Sequence, residues 1–414
     1  MQNPDLLAAD TAASSRWLSI VGLGEDGVEG LTHVARELIE RADIVFGGRR
    51  HLGLAAPLIR GAARPWPTPF DGAAAEVIGH RGRQVCVLAS GDPFHYGVGA
   101  VLARHIDARE MVVVPAPSAF SLAAARLGWS LQRTILLSLH GRMLDLIRPH
   151  LQPASDILAL TSDGDAPAEL AKLLVEAGFA QSRLTVLEAL GGPRERIRVT
   201  TAARYDFGTT DALNVVAIEV TDAPDARVLA RTSGLADNLF EHDGQITKRE
   251  VRAVTLSSLA PRRGELLWDI GAGSGSVAIE WLLADPMMRA IAIERRADRA
   301  ARIRRNAALF GVPGLDIIEG VAPAALSGLE TPQAIFVGGG ADAGVLDAAA
   351  RALPHDGRLV ANAVTLETEA LLLARHAALG GELIRIAVSR AAPVGEKSGW
   401  RAAMPVTQWV WTKP

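Results

Sequence analysis

The chain is poor in cysteine, in lysine and in long hydrophobic runs, and each scarcity excludes a class of protein. The single cysteine, Cys86, excludes an intramolecular disulfide, and no group of cysteines and histidines has the spacing of a zinc site. No uninterrupted apolar run reaches the ~18 residues that a membrane-spanning helix needs. The N-terminus lacks the basic start and apolar stretch of a signal peptide. We therefore expect a cytoplasmic protein with no metal ion and no membrane partner.

Positive charge comes almost entirely from arginine, since the only lysines are Lys172, Lys248, Lys397 and Lys413. The formal net charge is -3 and the pI is near 6.4, so no overall electrostatic field favours a nucleic-acid partner. A GC-rich genome would explain the arginine bias. Recognition of a polycarboxylate would explain it too, because a guanidinium binds a carboxylate through two hydrogen bonds.

The length of 414 residues predicts two or three domains. In the first part, short apolar runs alternate with helical patterns, which predicts an α/β fold with a mainly parallel sheet. The strands of this set are predicted at 17–21, 43–46, 85–89 and 111–114. A second set, in which short turns separate several strands, predicts a mixed or antiparallel sheet. Its strands are predicted at 134–139, 156–160, 184–187, 196–200 and 214–220.

A polar segment rich in aspartate interrupts this pattern, and we predict a linker over residues 222–242. The predicted domains are 16–221, with lobes of about 16–114 and 115–221, and 243–414; residues 1–15 are predicted to be a loose tail. The second domain begins a new α/β series. Its strands are predicted at Leu266, Ala290, Leu315, Ala334 and Arg358, followed by an antiparallel pair at 383–388 and 407–411.

The sequence LLWDIGAGSG in the second half is the most informative in the chain. An apolar run ends in Asp269 and the alternating glycines Gly271, Gly273 and Gly275, and a helical pattern follows, which predicts strand, tight turn and helix. Glu294 closes the next apolar run, where an acid suits hydrogen bonds to ribose hydroxyls. Asp269 would repel a pyrophosphate and attract the amino group of a methionine-type ligand. S-adenosylmethionine is therefore favoured over NAD.

Three turns in the first half occur in a recognisable order. VGLGEDG, ASGDPFHYG and VPAPSAFSLAAARLG each join a strand to a helical pattern, at the edge where open α/β sheets bind ligands. Together they resemble the glycine-rich, GDP and P-x-x-S segments of the tetrapyrrole methylases, over about residues 16–220. The resemblance implies two α/β lobes with S-adenosylmethionine in the cleft between them. The usual V-G-x-G-P-G has Glu25 and Asp26 in place of its Pro-Gly pair here.

The same resemblance implies roles for individual residues. Gly22 and Gly24 would shape the substrate-side loop of the donor site, and Ser118 is also predicted to cap a helix. The segments LSLHGR and DALNVVAIE would complete the site from the second lobe. The other implied donor contacts of this half are Ser90, Gly91, Asp92, Ser118, Ala119, Leu139, His140, Leu213 and Asn214.

The second half contains GQITKREVR, DIGAGSGSVAIE, AIAIER, IIEGVAPAAL and AIFVGGG in that order. This series resembles the Rossmann-like (class I) methyltransferases that act as the decarboxylating partner in corrin biosynthesis. Val321 lies where simpler relatives often have an aspartate facing the adenine amine. The implied contacts of this second S-adenosylmethionine site are Gln245, Thr247, Asp269, Gly271, Gly273, Gly275, Glu294, Gly320, Val321 and Ala322.

The order of the two halves resembles a group of enzymes in which these two methylase types are fused. The resemblance implies methylation of precorrin-6Y (6B) at carbons 5 and 15 and decarboxylation of the ring C acetate at carbon 12, giving precorrin-8 in cobalamin biosynthesis. It assigns carbon 5 to the N-terminal half, and carbon 15 and the decarboxylation to the C-terminal half. We also expect a homo-oligomer.

Candidate substrate and acid–base residues can be chosen only by position. Gly338, Gly339 and Gly340 would give the substrate room beside the methyl group. His140, His242 and Glu367 are candidate proton donors or acceptors, although exposed histidines are commonly solvated surface groups. Cations that flank the predicted mouth of the C-terminal site would bind substrate carboxylates, or are solvated surface charges. They are Lys248, Arg249, Arg390, Lys397 and Arg401.

Two other function classes are compatible with parts of the pattern. A two-domain NAD-dependent oxidoreductase predicts G-x-G-x-x-G after a strand, which the sequence lacks. An RNA methyltransferase could share the second half, but the acidic pI and the absence of a basic tract weigh against it.

Overall fold

The computed structural model describes residues 16–67 and 70–414, so the predicted tail over residues 1–15 lies outside the described residues. The chain forms two compact units. The first unit comprises the described residues up to Arg142 together with Pro153–Ala226. The second comprises Met143–Gln152 together with Arg227–Pro414. Both units are α/β structures, which confirms the predicted fold class.

The first lobe of the first unit is built on a parallel sheet. Its strands are β1 (Leu18–Leu23), β2 (Ile44–Gly47), β3 (Ala62–Pro65), β4 (Val85–Ser90) and β5 (Met111–Val114). They lie in the order β3-β2-β4-β1-β5. Its helices are α1 (His33–Glu40), α2 (Arg49–Ala55), α3 (Ala73–Ile78) and α4 (Val98–Leu102). Only β3 was not predicted, because its four residues are exposed and follow no apolar pattern.

The second lobe of the first unit contains the predicted mixed sheet. Its strands are β6 (Ile135–Ser138), β7 (Asp156–Leu160), β8 (Arg183–Glu188), β9 (Arg196–Thr201) and β10 (Asn214–Glu219). The order is β6-β7-β10-β8-β9, and only β6 and β7 are parallel. The α-helices of this lobe are α5 (Ala119–Leu127) and α6 (Ala166–Glu176).

The second unit is built on a seven-stranded sheet in which six strands run in one direction and one strand, β19, runs antiparallel to both of its neighbours. Its strands are β11 (Leu266–Ile270), β12 (Arg289–Glu294), β13 (Asp316–Glu319), β14 (Ala334–Val337), β15 (Arg358–Ala363), β16 (Glu382–Ile386) and β19 (Val406–Thr412). The order is β13-β12-β11-β14-β15-β19-β16, so the predicted closing pair is confirmed. A hairpin that was not predicted, β17 (Ser389–Val394) with β18 (Lys397–Ala402), lies between β16 and β19 in the sequence.

Helices and short 3-10 turns complete the chain. The α-helices of the second unit are α7 (Arg249–Leu259), α8 (Ser276–Leu283), α9 (Ala297–Leu309), α10 (Ala343–Ala352) and α11 (Leu366–Leu379). The 3-10 turns of the described chain are Gly27–Gly30, Phe70–Gly72, Ala108–Glu110, Leu144–His150, Ala202–Arg204, Asp237–Leu239 and Ala324–Leu326. Within the described residues, no helix is both long and apolar enough to cross a lipid bilayer.

Continuous apolar strands place the core on both faces of the parallel sheets. All residues of β11 and of β14 are buried, as expected for parallel strands that are covered on both sides. Helix α8 buries residues all round its axis, including Trp281. The turns that are predicted to bind a ligand follow these strands directly, so the buried strands fix the position of the turns.

The predicted linker is partly incorporated into the second unit. Leu229, Leu235 and Phe240 are buried in its core. The amides of Gly234 and Leu235 donate to the Glu280 carboxylate at 2.6 and 2.9 Å. Sequence pattern missed this because polar residues separate the three apolar ones, and each of them packs on a distant partner.

A short segment from the first half of the sequence also belongs to the second unit. Ile147 and Leu151 of the segment Met143–Gln152 are fully buried. The Gln152 side-chain amide donates to the Leu229 carbonyl at 2.8 Å. A methyl group added at Gly311 would overlap the Pro149 ring, so this segment packs closely against the end of α9. The predicted second lobe, 115–221, therefore contains a segment that packs with the other unit.

This packing predicts that truncating a buried side chain of the segment destabilises the second unit. Replacing Ile147 by Ala removes fully buried methyl groups and should lower the free energy of unfolding of the second unit by about 2–5 kcal/mol. Hydrogen–deuterium exchange should show lost protection within 227–414. Ile39→Ala is the matched control, because Ile39 is equally buried in α1 of the first unit. If Ile147→Ala lowered the exchange protection of residues 16–142 instead, this packing would be refuted.

Candidate functional site

Three turns of the first lobe meet at the carboxyl edge of its sheet. β4 and β5 are the two parallel neighbours of β1, so the turns that follow these strands lie side by side. A methyl group in place of the Gly22 hydrogen would overlap the carbonyl oxygen of Gly91 and lie 2.6 Å from the amide nitrogen of Ala116. That amide donates to the Gly91 carbonyl at 3.1 Å. The close contact at Gly22 therefore requires glycine.

These turns and the loops of the second lobe line a cavity of about 860 Å³ within the first unit. Ser118 caps α5 as predicted, its hydroxyl accepting from the Ser121 amide at 3.1 Å. The Asn214 amide group donates to the carbonyls of Asp163 and Asp211, so its side chain is held by the protein. The predicted donor contacts that line the cavity are Gly24, Ser90, Gly91, Ser118, Ala119, His140, Leu213 and Asn214.

Three predicted contacts of this half are not among the residues that line this cavity. Gly22 packs against the neighbouring turns. The Asp92 carboxylate accepts from the Phe94 amide at 2.8 Å and so shapes its own turn. Leu139 is fully buried, and its amide donates to the Leu160 carbonyl at 2.8 Å. In this geometry the three residues support the cavity without facing it.

A polar cluster on the cavity wall was not predicted. Glu25 forms an ion pair with Arg50, and Arg50 donates to His51 at 2.7 Å and to the Ser90 hydroxyl at 2.9 Å. The His51 Nε2 atom lies 2.8 Å from the same hydroxyl. The other Glu25 oxygen lies 3.3 Å from Arg194, which belongs to the second lobe. Glu25 thus links both lobes beside the cavity, in the position where the family pattern has proline.

The surroundings of the His51 imidazole favour its neutral form. Burial, and then the neighbouring Arg50 guanidinium, lower its pKa from 6.5 to about 4. Between these two pH values the unfolded chain binds a proton that the folded chain does not bind. This difference makes the folded state progressively more stable as the pH rises from 4 to 6.5.

We predict that the free energy of unfolding depends less steeply on pH in His51→Asn than in the parent. Urea denaturation at several pH values from 4 to 6.5 measures it, and an NMR titration of the imidazole in the parent should report a pKa about 4. His33→Asn is the control, because His33 is exposed on α1. An imidazole that titrates near 6.5 in the folded parent would contradict this environment.

The glycine turn of the second unit has the predicted form. Gly271, Gly273 and Gly275 have φ of 72°, 61° and 75°, a region that side-chain-bearing residues rarely adopt. A methyl group at Gly271 would overlap the carbonyl oxygen of Gly339, so the turns after β11 and β14 are in contact. At Gly273 the nearest atom to an added methyl would be the Gln245 carbonyl oxygen, 3.7 Å away. Gly273 is therefore the least crowded of the three glycines.

Asp269 and Glu294 hold this turn through the backbone. The Glu294 carboxylate accepts from the amides of Gly273 at 2.9 Å and Arg296 at 3.0 Å. The Asp269 Oδ2 atom accepts from the Ala278 amide at 3.1 Å, and burial and the Glu294 charge raise the pKa of Asp269 to about 7. Its Oδ1 atom is buried with no hydrogen-bond partner in the described chain. The carboxylate thus retains an unused acceptor that a cationic ligand group would satisfy.

The other predicted donor residues of this unit lie on loops around the turn. The Gly320 amide donates to the Glu294 carbonyl at 3.0 Å, and Val321 after it is largely exposed. Ala322 packs against the core beside β14, whereas the Thr247 carbonyl accepts from the buried Arg252 guanidinium. The contacts of these residues with a donor stay predictions. A methyl group added at Gly338 would lie 2.8 Å from the Phe336 ring.

The three candidate acid–base residues lie in different surroundings. His140 lines the cavity of the first unit, with Nδ1 3.2 Å from the Thr161 carbonyl oxygen. His242 is exposed and accepts from the Gly244 amide at 3.0 Å. Glu367 is exposed in the first turn of α11. None of these contacts by itself identifies a proton-transfer group.

The predicted cations of the second unit are all exposed. Lys248 is the residue that precedes α7, and Arg249 is the first residue of that helix. Arg390 forms an ion pair with Glu250, so its charge is partly compensated, and its contact with a substrate carboxylate stays a prediction. Arg401 lies opposite Arg390 in the β17–β18 hairpin, and Lys397 lies opposite Val394. Sequence alone could not show this compensation, because 140 residues separate Arg390 from Glu250.

Two family models match the chain. The model described as "Tetrapyrrole (Corrin/Porphyrin) Methylases" matches residues 18–206, and the model described as "Precorrin methyltransferase domain" matches residues 238–413. The two matched ranges contain the two sets of turns described above.

The chain is also similar to named relatives. It is 59% identical over 410 residues to a "Precorrin-6Y C(5,15)-methyltransferase (decarboxylating)" from Sinorhizobium sp., an alignment that covers 99% of each chain. It is 39% identical over 142 residues to a "Probable cobalt-precorrin-6B C(15)-methyltransferase (decarboxylating)" from Saccharolobus solfataricus, covering 33% of this chain and 71% of that one. It is 30% identical over 180 residues to a "Cobalt-precorrin-7 C(5)-methyltransferase" from Salmonella typhimurium, covering 44% and 88%.

Proposed function

The chain belongs to the precorrin-6Y C(5,15)-methyltransferases (decarboxylating), and we propose that its two units divide the two methyl transfers between them. The enzyme methylates a precorrin with S-adenosylmethionine and decarboxylates it, in the biosynthesis of cobalamin. In the proposed division, the first unit methylates carbon 5. The second unit methylates carbon 15 and removes the carboxyl group of the ring C acetate.

One observation supports the division most directly. Each unit has its own set of ligand turns, built from its own residues. In the first unit the turns at Gly22, Gly91 and Ala116 are in contact. In the second unit the turns at Gly271 and Gly339 are in contact. In the described part of the chain, the residues in contact within each set belong to one unit, so we propose two donor sites per chain and domains that follow the two compact units.

The residues of both sites fit S-adenosylmethionine, which supplies an electrophilic methyl group when bound. In the second unit, the unpartnered Oδ1 atom of Asp269 suits the donor's ammonium group, and positive φ at Gly273 lets the backbone approach a ligand closely. Glu294 is the proposed ribose contact, although its oxygens also accept from the turn. In the first unit, the cavity exposes the Ser90–Gly91 and Ser118–Ala119 turns to a ligand.

Methyl transfer to carbon depends more on the positions of the donor and the acceptor carbon than on an acidic or basic side chain. The reaction is an in-line displacement by an electron-rich carbon of the macrocycle, and orientation alone can contribute about 7–11 kcal/mol. Rigid turns at the ends of buried strands supply that orientation. The proposed contribution of the first unit is therefore to hold donor and macrocycle in line and to exclude water.

Decarboxylation makes a different demand on the second unit. The electrons released with CO2 must enter a sink, which the conjugated macrocycle itself provides. The protein must then desolvate the departing carboxylate while it holds the other carboxylates of the substrate. The predicted cations remain proposed carboxylate contacts; they are Lys248, Arg249, Arg390, Lys397 and Arg401. The relative named as a C(15)-methyltransferase (decarboxylating) supports the assignment of both steps to one domain.

The test of the proposed function is a product analysis. The purified chain, precorrin-6B and methyl-13C-labelled S-adenosylmethionine should give a product with label at carbons 5 and 15, and one CO2 for each product molecule. A product labelled at one carbon only, or methylated at both without CO2 release, would refute the proposal. The cytoplasmic location, the homo-oligomeric state and the absence of a nucleic-acid partner stay predictions from the sequence.

A further inference from the structure

Residues 241–247, which we call the strap, lie beside the glycine turn of the second unit and belong to no helix or strand. No backbone–backbone hydrogen bond between described residues involves the strap. The Gln245 carbonyl oxygen is nevertheless the atom nearest to the open side of Gly273, at 3.7 Å from a methyl group added there. Ordering a chain segment costs conformational entropy, so side chains must hold the strap in this place.

The side chain of Asn306 joins the strap to the turn. Asn306 lies on α9 and is fully buried. Its carbonyl oxygen accepts from the Glu241 amide at 2.9 Å, and its amide nitrogen donates to the Glu241 carbonyl at 3.0 Å. The same nitrogen donates to the Ser274 carbonyl, within the glycine turn, at 2.9 Å. Both N–H groups of one amide are therefore used, one on the strap and one on the turn.

Helix α9 also packs directly on the turn. Ile303 lies three residues before Asn306, which places the two side chains on the same face of the helix. A methyl group added at Gly275 would lie 2.7 Å from the Cγ2 atom of Ile303. The close contact at Gly275 fixes the distance between helix and turn, and Asn306 extends that fixed frame to the strap.

The same helix holds the middle of the strap through charge. The Asp243 carboxylate forms ion pairs with Arg299 at 2.9 Å and with Arg302 at 3.3 Å. Its other oxygen accepts from the Gln245 amide at 3.2 Å. The residue beside Gly273 is thus tied to α9 through Asp243.

A buried arginine holds the far end of the strap. Arg252 of α7 is fully buried, and its guanidinium donates to the Thr247 carbonyl. The guanidinium also pairs with the Glu280 carboxylate at 2.6 Å, which fixes its position. Displacing a buried ion pair is costly, so both ends of the strap are anchored and Gln245 lies between them.

We propose that Asn306 is a positioning residue of the second unit, which holds the strap against the glycine turn so that the backbone around Gln245 covers the bound S-adenosylmethionine. This inference rests on the proposed donor site at that turn. Because one amide group anchors both the strap and the turn, Asn306 sets the gap between them. The strap acts as one body, and each of its anchors contributes to the same donor contact.

The test measures hydrogen–deuterium exchange and the KM for S-adenosylmethionine in the full chain. Donor binding to the parent should protect residues 241–247 and 271–275 together. Asn306→Leu has nearly the same shape but removes all three hydrogen bonds. It should make the donor-free strap exchange faster and raise the donor KM for carbon 15 methylation about tenfold. The kcat should stay within about threefold, and the donor KM for carbon 5 methylation should not change.

Asp243→Ala is a second variant that leaves the core intact, because Asp243 is exposed. It should also raise the donor KM for carbon 15 methylation. The double variant should raise it no further than Asn306→Leu alone, because both changes release the same strap. Gln333→Leu is the control: it removes another amide side chain that binds a backbone group, the Leu266 amide at 2.8 Å, at the amino edge of the same sheet. It should keep the parent KM.

The outcomes separate the strap from the donor site beneath it. An unchanged carbon 15 donor KM in both single variants, while the donor still protects residues 271–275 of the parent, would overturn the inference alone. Fully additive effects in the double variant, or donor binding that protects the turn and not the strap, would overturn it too. If Asn306→Leu does not fold, Asp243→Ala decides by itself. A parent in which the donor leaves residues 271–275 unprotected would refute the proposed donor site instead.

Discussion

Gly273→Arg is expected to reduce methylation at carbon 15, and the decarboxylation with it, about 100-fold or more while carbon 5 is still methylated. Gly273 has φ of 61°, and its amide donates to the Glu294 carboxylate at 2.9 Å. An arginine there would strain the backbone and place a long cationic side chain beside the Gln245 carbonyl, where the donor is proposed to bind. The measurement is the position of 13C-labelled methyl groups in the product.

The control for this substitution must carry the same backbone strain. Gly328→Arg does so, because Gly328 has φ of 77° in the same unit and an added methyl group would contact nothing within 4 Å. It should leave both methylations intact. If Gly273→Arg remained folded and lost both methylations equally, the two sites would not be independent and the division of labour would be wrong.

Gly22→Ala is the reciprocal experiment, and it should remove methylation at carbon 5 while carbon 15 is still methylated. The φ of Gly22 is not in the left-handed region, so the effect is purely one of space. The added methyl group would overlap the Gly91 carbonyl and force apart the turns that form the donor cavity. A displacement of about 1 Å at such a turn can reduce the rate about 100-fold.

Gly53→Ala is the matched control, because Gly53 lies in α2 of the same unit and has open space around it. Alanine is the better helix former, so this control should unfold at the parent temperature or slightly above it. If Gly22→Ala lost carbon 15 methylation while carbon 5 methylation continued, the assignment of carbons to units would be reversed. Thermal unfolding of all four variants shows that any loss of activity occurs in a folded chain.

Local features that recur in every α/β sheet were predictable from the sequence. Buried parallel strands are nearly continuous apolar runs, so β1, β4, β11 and β14 were located to within about two residues. The turns that are predicted to bind a ligand follow those strands directly, which is why Gly91 and Gly271 could be placed in such turns without a structure. Because each turn comes directly after the last residue of a parallel strand, it lies at the carboxyl edge of the sheet.

What the sequence could not supply were pairings between distant residues. Glu25 forms ion pairs with arginines 25 and 169 residues away, and no local pattern indicates either of them. The same holds for Ile147, whose segment packs with the second unit although strands of the first unit flank it in the sequence. The β17–β18 hairpin is largely exposed, so it has no apolar alternation to reveal it.

The central claim is that each unit holds its own donor site, and the stoichiometry of S-adenosylmethionine binding tests it most directly. Isothermal titration of the full chain should give two molecules bound per chain, and Gly22→Ala and Gly273→Arg should each bind one. A parent chain that binds a single molecule, or a single substitution that abolishes both binding events in a folded protein, would contradict the account.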